Sequence, residues 1–223
     1  MNRSPALIFD LDGTLVDTAP DLLGAMNVIL VREGRSPVRR SDLRHLVGHG
    51  ARTMLAEALA QTGGPLPEPR TIALIDEFIA YYRDHLVDES RPFPGVEPTL
   101  KSFVDAGARL GVLTNKPQEL ADPLLDQLDL ARYFTAIHGA GRFSYVKPDA
   151  RVFHHVVDDL GGEGAGAIMI GDSTTDYRTA RAAGVPVILL TYGYTPDPVE
   201  SLGADAVTGD FTELPALVAR LLE

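Results

Sequence analysis

Five short apolar runs recur along the chain, and helix-like segments separate them. Each run is continuous and rich in β-branched residues, as expected for strands that are covered on both faces. Alternation of such runs with helical segments is typical of a parallel sheet wrapped by helices. The sequence therefore predicts an α/β fold with a doubly wound parallel sheet. The runs are Ala6–Phe9, Leu110–Leu113, Ala136–Ile137, Ala167–Ile170 and Val187–Leu190.

The stretch 18–88 departs from this alternation, because it shows helical periodicity and no convincing strand. It predicts a small all-helical cap domain, inserted after the first strand into a core domain made of 1–17 and 89–223. Thr18 lies three residues before Asp21, which predicts a capping box at the start of the first cap helix. The residues that share the apolar face of that helix are Leu22, Met26, Ile29 and Leu30.

Composition and charge exclude several classes of function. The 223 residues include no cysteine, which excludes disulfides, thiolate catalysis and cysteine-based zinc sites. The net charge of −11 argues against nucleic acid and anionic membranes as partners, since neither is held without a basic face. Asp10 and Asp12 interrupt the first apolar segment, so it is neither a membrane span nor a secretory signal. We therefore expect a cytoplasmic protein, either a monomer or a homodimer.

Carboxylates follow the first and the fourth apolar runs. In an open parallel sheet, ligands bind beyond the carboxyl ends of the strands, so Asp10, Asp12 and Asp172 are expected to meet at one edge. Asp10 and Asp12 are two residues apart on a segment read as extended, which predicts that both side chains point the same way. Clustered carboxylates repel one another unless a cation lies among them. Oxygen ligands of this kind suit Mg²⁺.

The same strand ends carry residues suited to phosphoryl transfer. Asp10 is the candidate nucleophile, because an aspartate can attack phosphorus and form a covalent intermediate. Asp12 can protonate the leaving alkoxide and then deprotonate the water that attacks the intermediate. Lys147, the Thr114 hydroxyl and amides near Asn115 can stabilise the charge on the transferring group. A single aspartate after a strand more often caps a turn, but the whole set favours a catalytic site.

These motifs resemble, in order, the four motifs of the haloacid dehalogenase superfamily in its phosphatase branch. They are Asp10-Leu11-Asp12-Gly13-Thr14, Thr114-Asn115, Lys147-Pro148, and Gly171-Asp172 with Asp176. The resemblance implies that Asp10 is the nucleophile and Asp12 the acid/base, with Thr114 and Lys147 as phosphate ligands. It also implies that Asp10, Asp12 (through its backbone carbonyl) and Asp172 bind Mg²⁺, with Asp176 supporting the metal site. The helical insertion is similar to the small cap of one subclass of this superfamily.

Within this superfamily the chain resembles phosphoglycolate phosphatases. The features that carry this resemblance are Phe93-Pro94-Gly95-Val96, Thr114-Asn115-Lys116-Pro117, Gly48-His49-Gly50 and Tyr192-Gly193-Tyr194. The resemblance implies a small phosphorylated metabolite as substrate, with 2-phosphoglycolate as the best single candidate. Two positions depart from the usual pattern of this group, since Thr175 and Thr195 stand where asparagine is more usual.

The role of the cap loop and the function of the whole protein each have alternatives. Gly48, His49, Gly50 and Arg52 are candidates to meet the carboxylate of the substrate, although the same pattern fits a helix-to-helix turn with a surface arginine. A β-phosphoglucomutase-like isomerase would use the same nucleophile and acid/base. A metabolite-binding protein without turnover is a further alternative, but a pure binder has no need of Asp12.

Overall fold

The computed structural model describes residues 4–39, 46–48, 50–162, 166–195 and 198–223. The strands in these ranges are β1 Ala6–Phe9, β2 Val16–Asp17, β3 Arg91–Pro92, β4 Arg109–Pro117, β5 Ala136–Ala140, β6 Ala167–Gly171, β7 Val187–Leu190 and β8 Ala206–Thr208. The α-helices in these ranges are α1 Ala19–Arg32, α2 Ala51–Gln61, α3 Glu68–Asp84, α4 Val96–Asp105, α5 Gln118–Gln127, α6 Ala150–Asp159, α7 Thr174–Ala183 and α8 Leu214–Leu221. None of these helices is both long and apolar enough to cross a membrane.

Six strands form one sheet in the order β5-β4-β1-β6-β7-β8, and all their pairings are parallel. The crossovers lie on both sides of β1, so the predicted doubly wound α/β fold is confirmed. The register matters for the site, because Phe9 at the end of β1 pairs with Val112 in β4 and with Ile170 in β6. Residues that follow these three positions therefore emerge at the same edge of the sheet.

Side chains of β1 alternate between two hydrophobic clusters, one on each face of the sheet. Leu7 and Phe9 belong to the cluster that includes the apolar faces of α4, α5 and α8 and extends to α1, α2 and α3. Ala6 and Ile8 belong to the opposite cluster, which includes the buried side of α6. The Phe9 ring lies 6.1 Å, centroid to centroid, from the Phe211 ring. Because β1 is covered on both faces, the positions at its end are held by a close-packed core.

The segment between β2 and β3 contains α1, α2 and α3 and, within its described residues, no strand. The two short strands pair with each other in antiparallel fashion, so the chain leaves and re-enters the core at one place. Asp21 joins the start of α1 to the return segment, because its carboxylate accepts hydrogen bonds from the backbone N–H groups of Glu89 and Ser90. The helical character agrees with expectation, whereas a separate cap domain at 18–88 stays a prediction.

The capping box predicted for α1 is wrong. Thr18 makes no side-chain cap, because its backbone is already near the helical region, with φ −96° and ψ −7°. Its hydroxyl instead donates to Asp12 Oδ1 at 2.7 Å, and the Asp21 carboxylate is used by the return segment. A capping box does form at α7, where the side chains and backbone N–H groups of Ser173 and Asp176 bond reciprocally.

Candidate active site

The register of the sheet brings the candidate residues to one edge. The Asp10 N–H donates to the Ile170 carbonyl at 2.9 Å, which fixes the nucleophile candidate beside the end of β6. Lys147 comes from the loop between β5 and α6. Asn115, at the end of β4, clamps that loop, because its side chain accepts from the Lys147 N–H at 3.0 Å and donates to the Lys147 carbonyl at 3.1 Å. The Asn115 amide thus positions Lys147 from an adjacent strand end.

Three carboxylates meet beside this lysine. Each of Asp10, Asp172 and Asp176 offers one oxygen, and these oxygens lie within 4.8 Å of one another. The Lys147 Nζ lies 2.8 Å from Asp10 Oδ1 and 2.7 Å from Asp176 Oδ1. The Asp172 carboxylate accepts from the Thr14 hydroxyl at 2.9 Å. The cluster is buried, so a single lysine faces three carboxylates away from bulk water.

Burial is the largest single influence on the pKa values of Asp10, Asp172 and Lys147. It raises the pKa of Asp10, with Lys147 opposing the shift and Asp176 adding to it. It also raises the pKa of Asp172, and repulsion from Asp176 and Asp10 adds to that shift. Burial would lower the pKa of Lys147, but attraction from Asp10 and Asp176 outweighs it and leaves that pKa raised. Carboxylates held together against their own repulsion, with oxygen donors only, fit a hard divalent cation.

Asp176 contacts more of the site than the sequence indicated. Its Oδ2 accepts from the Asp172 N–H at 3.2 Å and from the Ser173 hydroxyl at 2.6 Å, while Oδ1 accepts from Lys147. It therefore caps α7, orients the loop that carries Asp172 and pairs with the lysine. The spacing Ser173 to Asp176 before a helix is the signal that could have revealed this role.

The carboxylate of Asp12 does not join the cluster, contrary to the expectation of three carboxylates around one ion from Asp10, Asp12 and Asp172. Asp12 Oδ1 instead accepts from the Lys116 Nζ at 3.0 Å and from the Thr18 hydroxyl at 2.7 Å. The expectation assumed an extended backbone, but β1 ends at Phe9 and the following residues form a turn. Any contribution of Asp12 to a metal through its backbone carbonyl stays a prediction.

Lys116 is a site residue that the sequence reasoning gave no role. Its side chain is only 3% exposed, and its Nζ also donates to the Tyr82 hydroxyl at 2.8 Å. Attraction from Asp12 and Tyr82 outweighs burial and leaves the pKa of Lys116 raised, so the group is an ammonium. Tyr82 lies on α3, so this hydrogen bond joins the insertion to the core. The signal available in the sequence was the position of Lys116 directly after Thr114-Asn115.

A cavity of about 150 Å³ lies over the cluster. Its lining includes Asp10, Asp12, Thr114, Lys147 and Asp172, so the structure brings the predicted core residues together. The two positions that depart from the usual pattern of the group, Thr175 and Thr195, also line it.

Val47 and Gly48 of the insertion contribute to the lining of this cavity, and a second cavity of about 140 Å³ adjoins it. Gly48 lines both cavities, and Gly50 lines the second. Arg52 is not brought to either, because its guanidinium pairs with Glu68 at 2.8 Å on the surface. His49 lies outside the described residues. Contact of Gly48, Gly50 and Arg52 with substrate therefore stays a prediction. The position of the two glycines beside the cavities favours such contact, and the position of Arg52 does not.

Comparison with known proteins agrees with this geometry. A model of the haloacid dehalogenase-like hydrolase family matches residues 7–190, which include every core residue of the site. The chain belongs to the haloacid dehalogenase-like hydrolase family. The resemblance inferred from the motifs is thereby confirmed.

Relatives in this hydrolase family match nearly the whole chain. A phosphoglycolate phosphatase of Caulobacter vibrioides is 46% identical over 216 residues, covering 97% of this chain and 91% of the relative. One from Agrobacterium fabrum is 46% identical over 220 residues, covering 98% and 94%. A crystal structure of a predicted phosphoglycolate phosphatase from Haemophilus somnus superposes with a TM-score of 0.90 at 28% identity, covering 98% of this chain and 99% of the other.

Proposed function

We propose that the protein is a Mg²⁺-dependent phosphatase that hydrolyses 2-phosphoglycolate through an aspartyl-phosphate on Asp10. The observation that carries the proposal is the contact of the Lys147 Nζ with both Asp10 and Asp176, at the edge of a carboxylate cluster and beneath a cavity. The names of the relatives support the hydrolase reading over the isomerase and over a binding protein without turnover. A cytoplasmic location and a monomeric or dimeric state are part of the same proposal.

Mg²⁺ would be held by Asp10, Asp172 and Asp176, with the Asp12 carbonyl as a further ligand, and when bound it neutralises charge on the phosphoryl oxygens. The buried carboxylates support a divalent cation, because raised pKa values for Asp10 and Asp172 mean that the metal-free cluster opposes its own ionisation. Magnesium is the specific ion proposed, since the donors are oxygen atoms only.

In the first step a carboxylate oxygen of Asp10 attacks phosphorus and the bond from phosphorus to the ester oxygen breaks. The Leu11 N–H and the Lys147 ammonium both contact Oδ1, which leaves Oδ2 without a hydrogen-bond donor among the described residues and available for attack. Asp12 gives its proton to the departing alkoxide. In the second step Asp12 takes a proton from water as the water oxygen attacks phosphorus, which releases phosphate and restores Asp10.

Lys147 and Thr114 hold the transferring phosphoryl group in this proposal. The ammonium of Lys147 has three N–H donors, of which Asp10 and Asp176 accept two. The Thr114 oxygen accepts from the Lys116 N–H at 3.1 Å, so its own proton remains free to donate to a phosphoryl oxygen. Both groups line the first cavity, and donors fixed before the reaction stabilise developing charge without reorganising.

The proposal is tested by phosphate release from a panel of small phosphomonoesters, with Mg²⁺ and with a chelator. We expect 2-phosphoglycolate to give the highest kcat/KM and the chelator to abolish turnover. The Asp10→Asn protein should lose at least about 1000-fold in kcat, since an asparagine amide cannot replace the carboxylate that attacks phosphorus. Its mass must be checked to exclude deamidation back to aspartate. Retained turnover in a verified Asp10→Asn protein would overturn the assignment of the nucleophile.

A further inference from the structure

Lys116 lies on the boundary between the two cavities and lines both of them. Its Nζ donates to Asp12 Oδ1 and to the Tyr82 hydroxyl, and lies 4.7 Å from the centre of the Tyr82 ring. An ammonium carries three donors, so one of them has no hydrogen-bond acceptor among the described residues. The Lys116 ammonium is therefore held in a fixed position and retains one N–H that can donate to a ligand.

Few cations are available to an anionic substrate at this site. Among the described residues that line the two cavities, Lys147 and Lys116 are the positively charged side chains. Lys147 serves the nucleophile and the phosphoryl group. Arg52, the other candidate for a substrate carboxylate, pairs with Glu68 on the surface. Among the described residues, a second negative charge on the substrate is thus left to Lys116.

The position of Lys116 relative to the acid/base fits a carboxylate close to the scissile bond. Asp12 must reach the ester oxygen, and the Lys116 Nζ is 3.0 Å from Asp12 Oδ1. In the phosphate ester of a 2-hydroxy carboxylate, the carboxylate is bonded to the same carbon that carries the ester oxygen. Such a group lies beside the atom that Asp12 protonates, within reach of the same ammonium.

The second cavity strengthens this contact. Its lining beyond Lys116 and Asp12 is largely apolar, with side chains of the insertion and the core that include Leu22, Met54 and Phe78. A charged group cannot enter such surroundings without a partner, and a hydrogen bond between charges is stronger where water is excluded. Compact leaving alcohols with one carboxylate fit these walls better than sugars, whose hydroxyl groups would lack partners.

We propose that Lys116 is a specificity-determining residue that binds the carboxylate of the leaving alcohol, so that the substrates are phosphate monoesters of 2-hydroxy carboxylates. Tyr82 from α3 of the insertion holds the ammonium in position from the opposite side. The proposal rests on the phosphatase function and names the substrate class and the group that selects it.

The test compares 2-phosphoglycolate with 2-hydroxyethyl phosphate, in which an uncharged hydroxymethyl group replaces the carboxylate. We expect Lys116→Met to lower the preference for 2-phosphoglycolate, as a ratio of kcat/KM values, by roughly 10- to 100-fold, mainly through KM. Lys116→Arg should retain much of the preference. Lys101→Met is the matched control, because this exposed lysine pairs with Asp105 and lines neither cavity, so the preference should persist. Lys116→Gln serves as a second uncharged variant should the methionine protein not fold.

Two results would overturn the inference. Equal losses for both esters in the Lys116 variants would mean that the lysine only positions Asp12, and a wild-type enzyme without preference would mean that no carboxylate is recognised. Calorimetry of both esters binding to the Asp10→Asn protein with Mg²⁺, with and without Lys116→Met, separates this inference from the proposed reaction. A Lys116-dependent preference in binding, in a wild-type protein that hydrolyses neither ester, would support the inference while refuting the phosphatase. If binding shows no preference that depends on Lys116, the inference is wrong, whether or not either ester is hydrolysed.

Discussion

A substitution at Gly193 tests how the carboxylate of Asp172, a proposed Mg²⁺ ligand, is held in position. An ideal Cβ built on this glycine would overlap Oδ2, Cβ and Cγ of Asp172. The φ of Gly193 lies outside the left-handed range, so alanine is excluded by this overlap alone and not by backbone strain. Restoring an ordinary contact of 3.4 Å or more requires Asp172 to retreat by about 1 Å or more. The Thr14 hydroxyl and the Tyr194 N–H bind Asp172 at 2.9 Å each, so such a shift breaks both contacts.

We therefore expect Gly193→Ala to raise the Mg²⁺ concentration for half-maximal activity by roughly 10- to 100-fold, as for other changes that disturb the orientation of a metal ligand. At saturating Mg²⁺, kcat/KM should still fall by about 100-fold, because a misplacement of about 1 Å at a reacting centre has that effect.

The assay is initial-rate phosphate release over a Mg²⁺ series, with thermal melting in parallel. Gly24→Ala is the matched control, since its Cβ meets nothing within 4 Å and alanine is the better residue inside α1. A folded Gly193→Ala protein with wild-type Mg²⁺ dependence and kcat/KM would refute the reasoning, because it would mean that Asp172 is not confined by this glycine or does not bind the metal.

Two further predictions concern pH and the start of the insertion. Because burial raises the pKa of Asp10 and Asp172, the metal-free native state binds more protons than the unfolded chain, and its stability falls as the pH rises through these raised pKa values. Mg²⁺ favours the ionised carboxylates, so its increment in Tm should be larger at about pH 8 than at about pH 5.5, and an increment independent of pH would contradict this. Tyr194→Phe should lower the free energy of unfolding by about 2 kcal/mol or more in urea titrations, because the backbone N–H groups of Thr18 and Ala19 lose their acceptor; an unchanged free energy would contradict it.

Much of the fold could be predicted from the sequence, because it depends on local patterns. Each apolar run lies in a strand of the large sheet. Asp10 and Asp172 directly follow β1 and β6, and Thr114 lies in the second half of the neighbouring strand β4, as a site at the carboxyl edge of a parallel sheet requires. The pairing of β2 with β3, and the edge strand β8, were not predicted. These strands contain only two or three residues each, too few for a period to be detected.

Side-chain partners across the site could not be predicted in the same way. Asp12 was expected to share an ion with Asp10, and its carboxylate instead bonds to Lys116, which is 104 residues away in sequence. The partner of Asp12 depends on which charged groups the folded chain buries together, because a buried carboxylate needs a nearby cation to offset its loss of hydration. A local spacing can place a residue at the edge of the sheet, but it cannot say which neighbour its side chain meets.

Tyr194 shows how these long-range contacts join the insertion to the chemistry. Its backbone N–H donates to Asp172 Oδ2 at 2.9 Å, while its hydroxyl donates to Asp17 Oδ1 at 2.7 Å and accepts from the Thr18 N–H at 2.7 Å. A single residue after β7 therefore contacts both the carboxylate proposed to bind metal and the linker at which α1 begins. The linker cannot shift relative to Asp172 without straining Tyr194 or breaking one of these bonds. The start of the insertion and the geometry of the carboxylate cluster are thus linked through one residue, by its hydroxyl on one side and its backbone N–H on the other, and disturbing either one should disturb the other.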